Sequence, residues 1–171
     1  MLDAASTVYI SVGSNIEPEK NLQAAVDLLA EICEIQAVSS VYQSPAFGFE
    51  NQPDFLDIAV KLITSDAPDV FKSRLDGIEK QLGRDRASQA NKYGPLTLDI
   101  DILLWNETAF DYGTKPWHVP DKSILKFGAV AIPLAEIAPS YIHPEENETL
   151  TDIANRFDAD EISVTGLSIR W

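Results

Sequence analysis

The chain has 171 residues, 45% of them hydrophobic, enough to bury one substantial core, and a single domain spanning 1–171 is expected. Its 27 acidic against 13 basic residues give a formal net charge of −14, which excludes the basic stripe of a nucleic-acid binder. One cysteine excludes an internal disulfide, and no secretory leader or long uncharged apolar run is visible, so a cytoplasmic protein away from any membrane is expected.

Residues 7–12 alternate, with Val8, Ile10 and Val12 on one side and Tyr9 and Ser11 on the other, which predicts a strand. Gly13-Ser14-Asn15 ends it, either as a plain turn or as a phosphate-binding one. Pro18 suits a first helical turn, and Leu22, Val26, Leu29 and Cys33 then recur at helical spacing. That places Cys33 on an apolar stripe as a small core residue. Residues 35–43 read as a second strand closed by Ser44-Pro45, and 44–54 as a loop. A third strand follows, with Leu56, Ile58, Val60 and Leu62 on one face and Phe55, Asp57 and Ala59 on the other.

Pro68 opens a second helix with Phe71, Leu75, Ile78 and Leu82 on its stripe, and Gly83 stops it. After a polar loop at 84–95 comes a fourth strand, so the order to residue 104 is β-α-β-β-α-β. This is an α+β, ferredoxin-like sandwich, with helices on one face of an antiparallel sheet. A C-terminal elaboration follows: a Pro-rich loop around Pro116 and Pro120, an apolar segment at 130–137, a helix at 149–157 and a strand at 162–169.

Six of the 13 basic residues fall between 72 and 92, beside only three acids, in an otherwise acidic chain. That excess points to a small anionic ligand. A solvated helix face with i,i+4 pairing accounts for Lys72, Arg74 and Lys80. It does not account for Arg84 and Arg86, which lie beyond the helix stop.

Asp99 and Asp101 stand two apart on the fourth strand and so share a face, while Leu98, Ile100, Ile102 and Leu104 fill the opposite one. Adjacent carboxylates repel unless a cation lies between them. Mg²⁺ fits, since it takes one or two carboxylates together with substrate phosphates. The alternative is an edge strand with a solvated acidic face. Phe55 and Asp57 together can stack on a planar heterocycle and bond its amino groups, or simply sit beneath a loop. Tyr42 and Phe47 flank the same loop as further walls. His118 and His143 have no partner at metal-ligand spacing.

The segments V-Y-I-S-V-G-S-N at 8–15, S-S-V-Y-Q-S-P-A-F-G at 39–48, N-Q-P-D-F-L-D-I-A-V at 51–60, I-E-K-Q-L-G-R-D-R at 78–86, Y-G-P-L-T-L-D-I-D-I-L-L at 93–104 and P-L-A-E-I-A-P at 133–139 occur in this order. Together they resemble the 6-hydroxymethyl-7,8-dihydropterin pyrophosphokinase family of folate biosynthesis. The resemblance implies transfer of pyrophosphate from ATP to the pterin hydroxymethyl group, with AMP released, by a protein read as a monomer. It implies that Asp99 and Asp101 hold two Mg²⁺ ions, and that Arg84 and Arg86 neutralise phosphates. Ser44, Pro45, Phe47, Gly48, Phe55 and Asp57 would bind the pterin. Glu79, Arg84, Lys92, Tyr93 and Lys122 would lie on the nucleotide.

The chain departs from the family pattern at several of these places. Leu96 stands where P-R-T-L-D-x-D has arginine, and Asp121-Lys122 where His-Tyr is usual. Phe127-Gly128-Ala129 aligns with R-x-F, and Asp57 with asparagine. Phe127, on a strand, would face the missing ring's position, and Lys92, Lys122 or Lys126 would restore charge. Two other readings therefore stay open: a weakened paralogue that binds pterin or nucleotide, and a pyrophosphokinase for another heterocyclic alcohol.

Overall fold

The computed structural model describes residues 4–46, 51–85, 87 and 94–171. Strand β1 (Ser6–Ser14) lies at the centre of an antiparallel sheet, between β4 (Phe55–Thr64) and β5 (Asp99–Trp105). The expected second strand is realised as two pieces, β2 (Glu34–Val38) and β3 (Tyr42–Ser44), both paired with β4. The break falls at Ser39, whose hydroxyl accepts the Ala59 amide at 2.9 Å and takes the place of a ladder bond. The predicted 162–169 strand shrinks to β8 (Ser163–Val164), paired with β3.

Helices α1 (Pro18–Ile32) and α2 (Pro68–Gln81) each begin with proline, whose missing N–H is lost without penalty in a first turn. They bury one face of the sheet. Val8, Ile10 and Val12 of β1 meet Ile58, Val60 and Leu62 of β4, Leu22 and Leu29 of α1, and Phe71 and Leu75 of α2. Each such side chain contributes about 1.5–3 kcal/mol by leaving water. Cys33 caps α1 at the rim of this core, where its thiol donates to the Leu29 carbonyl at 3.0 Å.

The opposite face is covered too. The apolar segment expected at 130–137 folds as α4 (Gly128–Ile137), with Pro133 inside it and the short α3 (Ser123–Lys126) before it, and α5 (Leu150–Ala154) packs on it. Ala131, Leu134 and Ile153 close over Tyr9, Ala59, Leu103 and Leu104. Leu104 is a correction: a register shift between Tyr9 and Ile10 inserts Leu103 as an extra residue and turns Leu104 onto this second face. The Pro-rich loop contains a hairpin, β6 (Phe110–Tyr112) with β7 (Trp117–Val119), which docks beside the edge strand β5. Helix α4 covers the sheet only part-way along β1 and β4. At the end carrying Gly13, Asp57, Asp99 and Asp101 the second face opens into a cleft.

Candidate active site

Gly13 sets the layout. It pairs with Asp57 on one side and Asp99 on the other, so these carboxylates stand level on strands separated by β1, roughly 10 Å apart. Gly13 lies inside the strand rather than in the turn expected of it. A Cβ there would come within 2.7 Å of Asp57 Oδ1, so the bare Cα makes room for that carboxyl. Asn15 is structural rather than a phosphate ligand. Its amide nitrogen donates to Gln52 Oε1 at 2.8 Å and to the Pro53 carbonyl at 3.0 Å, and its Oδ1 accepts the Leu96 amide at 2.9 Å.

The cleft has a volume of about 690 Å³. At one end lie Ser44, Pro45, Ala46, Phe55 and Asp57; at the other, Arg84, Leu96, Asp99, Asp101 and Trp117; Lys126 to Val130 form the facing wall. Ser44 is the last residue of β3 rather than a loop residue, and its hydroxyl donates to Asp57 Oδ2 at 2.8 Å. Burial pushes the Asp57 carboxyl up to about 7, against the pull of the Ser44 hydrogen bond, and the Asp99 charge adds to the rise.

Asp101 pairs with Ser11 on the same face as Asp99. Burial raises its carboxyl to about 8, the Asp99 charge adds to that, and Lys72 opposes it. Asp99 accepts Arg84 Nη1 at 2.9 Å, and the same nitrogen donates to the Leu98 carbonyl at 2.8 Å. Among the described residues no group of three or more His, Cys, Asp or Glu side chains gathers into a metal cage. Two carboxylates that repel each other on one strand face at the cleft suit a hard divalent cation whose remaining positions go to water and phosphate, so the donor set fits Mg²⁺.

Four expectations change. Glu79 is 2% exposed. It lies beneath the site, where it accepts the Ile100 amide at 2.7 Å and stands 3.8 Å from Arg84, an anchor for β5 rather than part of the cleft wall. Lys122 is exposed at the start of α3 and off the cleft, whereas Lys126 lines it. Phe127 reaches the cleft from the junction of α3 and α4, not from a strand. Tyr42 is no cleft wall either: its hydroxyl is bonded to Glu136 of α4. Phe47, Gly48, Arg86, Lys92 and Tyr93 lie outside the described residues.

Several residues escaped the sequence reading: Phe157, Glu161 and Ile162 in the cleft wall, and two more beside or in it. Lys72, read as solvated, is 4% exposed, although it does make the i,i+4 pair with Asp76 at 3.1 Å. Trp117, a large aromatic in a polar loop, supplies cleft wall. His118 has carboxylate partners on both ring nitrogens, Asp111 at 2.6 Å and Glu145 at 2.7 Å, which raise its pKa.

A family model for 7,8-dihydro-6-hydroxymethylpterin-pyrophosphokinase (HPPK) matches residues 9–139, which include every described residue of the two-ended cleft up to Ala129 and Val130. The chain belongs to the HPPK family. It is 38% identical over 140 residues to the 2-amino-4-hydroxy-6-hydroxymethyldihydropteridine pyrophosphokinase of Aquifex aeolicus, covering 81% of this chain and 84% of that one. The Bacillus subtilis enzyme of the same name is 36% identical over 147 residues, covering 84% of each. The fold is also that of a Plasmodium falciparum HPPK-DHPS variant solved with pterin and p-hydroxybenzoate. There the TM-score is 0.74 at 12% identity, over 94% of this chain and 47% of that chain. The HPPK family's ferredoxin-like core is thus present here, with its second face covered by α4 and α5.

Proposed function

We propose that this protein transfers the β,γ-pyrophosphoryl unit of ATP to the hydroxymethyl oxygen of 6-hydroxymethyl-7,8-dihydropterin, with release of AMP. One observation carries the reading: Gly13 holds Asp57 and Asp99 level across β1 in one cleft, whose Asp57 end we assign to the heterocycle and whose Asp99 end we assign to the phosphates. The relatives named as pyrophosphokinases of this dihydropteridine support it.

At the heterocycle end, Phe55 offers a ring face, and Asp57, steadied by Ser44, accepts hydrogen bonds from amino groups on a planar edge. Phe47 and Gly48 are assigned to this end by resemblance. At the phosphate end, Arg84 presents a fixed guanidinium whose orientation the Leu98 carbonyl, Asp99 and Glu79 all determine. Arg86, Lys92 and Tyr93 are assigned to the nucleotide. Asp99 and Asp101 would hold Mg²⁺, two ions by resemblance, which offset phosphate charge and align the transferred group. The remaining work is positioning and charge compensation by the strands and by Arg84. The protein is read as cytoplasmic and monomeric; among the described residues no helix is long and apolar enough to cross a membrane.

The test is AMP release by the purified protein, resolved chromatographically. AMP that requires both Mg²⁺ and the dihydropterin is expected. Tight pterin binding without AMP, or AMP only with other alcohols, would overturn the proposal.

A further inference from the structure

Lys72 is 4% exposed in a helix whose neighbouring positions, Phe71 and Leu75, are wholly buried. An ammonium in such a place is costly unless every donor is used, and a leucine would fill the volume without that penalty. Here two polar partners and an aromatic face compensate it. Nζ donates to the Ile100 carbonyl at 3.2 Å, pairs with Asp76 Oδ1 at 3.1 Å, and lies 5.0 Å from the centre of the Trp117 ring.

Asp76 is on the same helix, but the other two partners belong to different parts of the site. Ile100 is the residue between Asp99 and Asp101. Trp117 lines the cleft, and its edge rests on Gly113, where a Cβ would meet Cδ1 at 2.8 Å. One buried cation thus ties α2 to the carboxylate strand and to the hairpin that supplies cleft wall. The edge of β5 is also held by Glu79 on the Ile100 amide, Arg84 on the Leu98 carbonyl and the Asp121 amide on the Leu103 carbonyl. Lys72 is not itself among the residues lining the cleft.

We propose that Lys72 is a positioning residue for the transfer: it locks the Asp99–Asp101 strand edge and the Trp117 wall into one geometry, and so sets affinity for the phosphate-bearing co-substrate without touching it. The charge works in the same direction, since Lys72 opposes the crowding of Asp99, Asp121 and Glu79 around Asp101. The identity of that co-substrate rests on the function proposed above; the clamp itself does not.

The experiment compares wild type with Lys72→Met, Lys72→Arg, Trp117→Leu and the Met/Leu double variant. Binding of a non-hydrolysable ATP analogue with Mg²⁺ is measured by calorimetry, amide exchange is followed in the 98–105 segment, and the KM for the dihydropterin is determined. Lys72→Met is expected to weaken analogue binding about 10-fold, as residues that orient ligating groups do. It should speed exchange at Ile100 and leave the dihydropterin KM within about twofold, and Lys72→Arg should recover most of the binding. Trp117→Leu should weaken binding alone but add little on top of Lys72→Met, because the two act as a unit. Wild-type binding in Lys72→Met, additive losses, or equal damage in the Met and Arg variants with the dihydropterin KM rising in step would overturn the proposal. If Lys72→Met fails to fold, Trp117→Leu decides: unchanged exchange at Ile100 contradicts the clamp. A wild type that binds the analogue yet releases no AMP refutes the pyrophosphokinase reading, while binding and exchange still judge Lys72.

Discussion

Replacing Gly13 with alanine separates the chemistry of the heterocycle end from the stability of the strand that carries it. The new Cβ would lie 2.7 Å from Asp57 Oδ1, with the Leu56 carbonyl next at 3.9 Å, so the carboxyl is the group that must yield. It must give by about 0.7 Å to reach ordinary contact. Its other oxygen holds Ser44 Oγ at 2.8 Å, so the shift stretches or breaks that bond. Losing it costs about 1 kcal/mol. Against this, alanine in place of a strand glycine returns about 0.4–1 kcal/mol through the unfolded chain. The two nearly cancel, and the melting temperature should move by no more than about 4 °C. Dihydropterin binding has no such compensation. Displacing the carboxyl proposed to accept hydrogen bonds from its amino groups should raise the dihydropterin KM about 10-fold, equivalent to about 1.4 kcal/mol. Nucleotide-analogue affinity should hold. Steady-state AMP release at varied dihydropterin, with melting curves on the same samples, makes the comparison. An unchanged KM would refute the assignment of Asp57 to the heterocycle, and a large loss of stability would refute the balance argued for the strand.

Asp57→Asn should alter the pH dependence of stability. The folded carboxyl is raised from 3.8 to about 7, so its contribution is complete below about 4 and lost as pH rises through 7. The variant's melting temperature should therefore gain on wild type between pH 5 and pH 8, as thermal scans at roughly unit pH steps would show. Glu79→Ala leaves the Ile100 amide without its acceptor and Arg84 with Asp99 but without its buried carboxylate neighbour. Urea titration should register a loss of about 3 kcal/mol, and a loss near zero would mean that the anchor is idle. Leu96→Arg places a guanidinium in the cleft wall on a main chain already held by Asn15, and kcat should rise about 10-fold or more. A kcat that is unchanged or lower would show that the leucine does not mark a missing phosphate contact.

Periodicity carried much of the fold. The alternation of β1 and β4 and the stripes of α1 and α2 reappear as one core, because each was written in a repeat matching its element. What escaped depends on tertiary docking. The extra residue at Leu103 moves Leu104 between faces, and no local pattern announces a bulge. Helix α4 carries a proline and is apolar nearly all round, so it showed no helical period, as expected of a helix buried on more than one side. The β6–β7 hairpin is too short to leave an alternating signal. Within the site, the Asp-x-Asp pair was legible from strand geometry alone. The bonds of Glu79 and Lys72 to the Ile100 backbone were not, because a helix sequence does not reveal that its charged residues will meet the bare edge of a strand. Phe127 was placed near the cleft by resemblance, although through a helix junction rather than a strand.

Calorimetry of a non-hydrolysable ATP analogue, with Mg²⁺ or with a chelator, on wild type and Asp101→Ala goes to the centre of the account. The wild type should bind at least about 10-fold more tightly with Mg²⁺, and Asp101→Ala, folded and melting no lower, should lose that difference. Equal affinity with and without Mg²⁺ in the wild type, or a full Mg²⁺ dependence retained in Asp101→Ala, would contradict the assignment of the paired carboxylates to the metal.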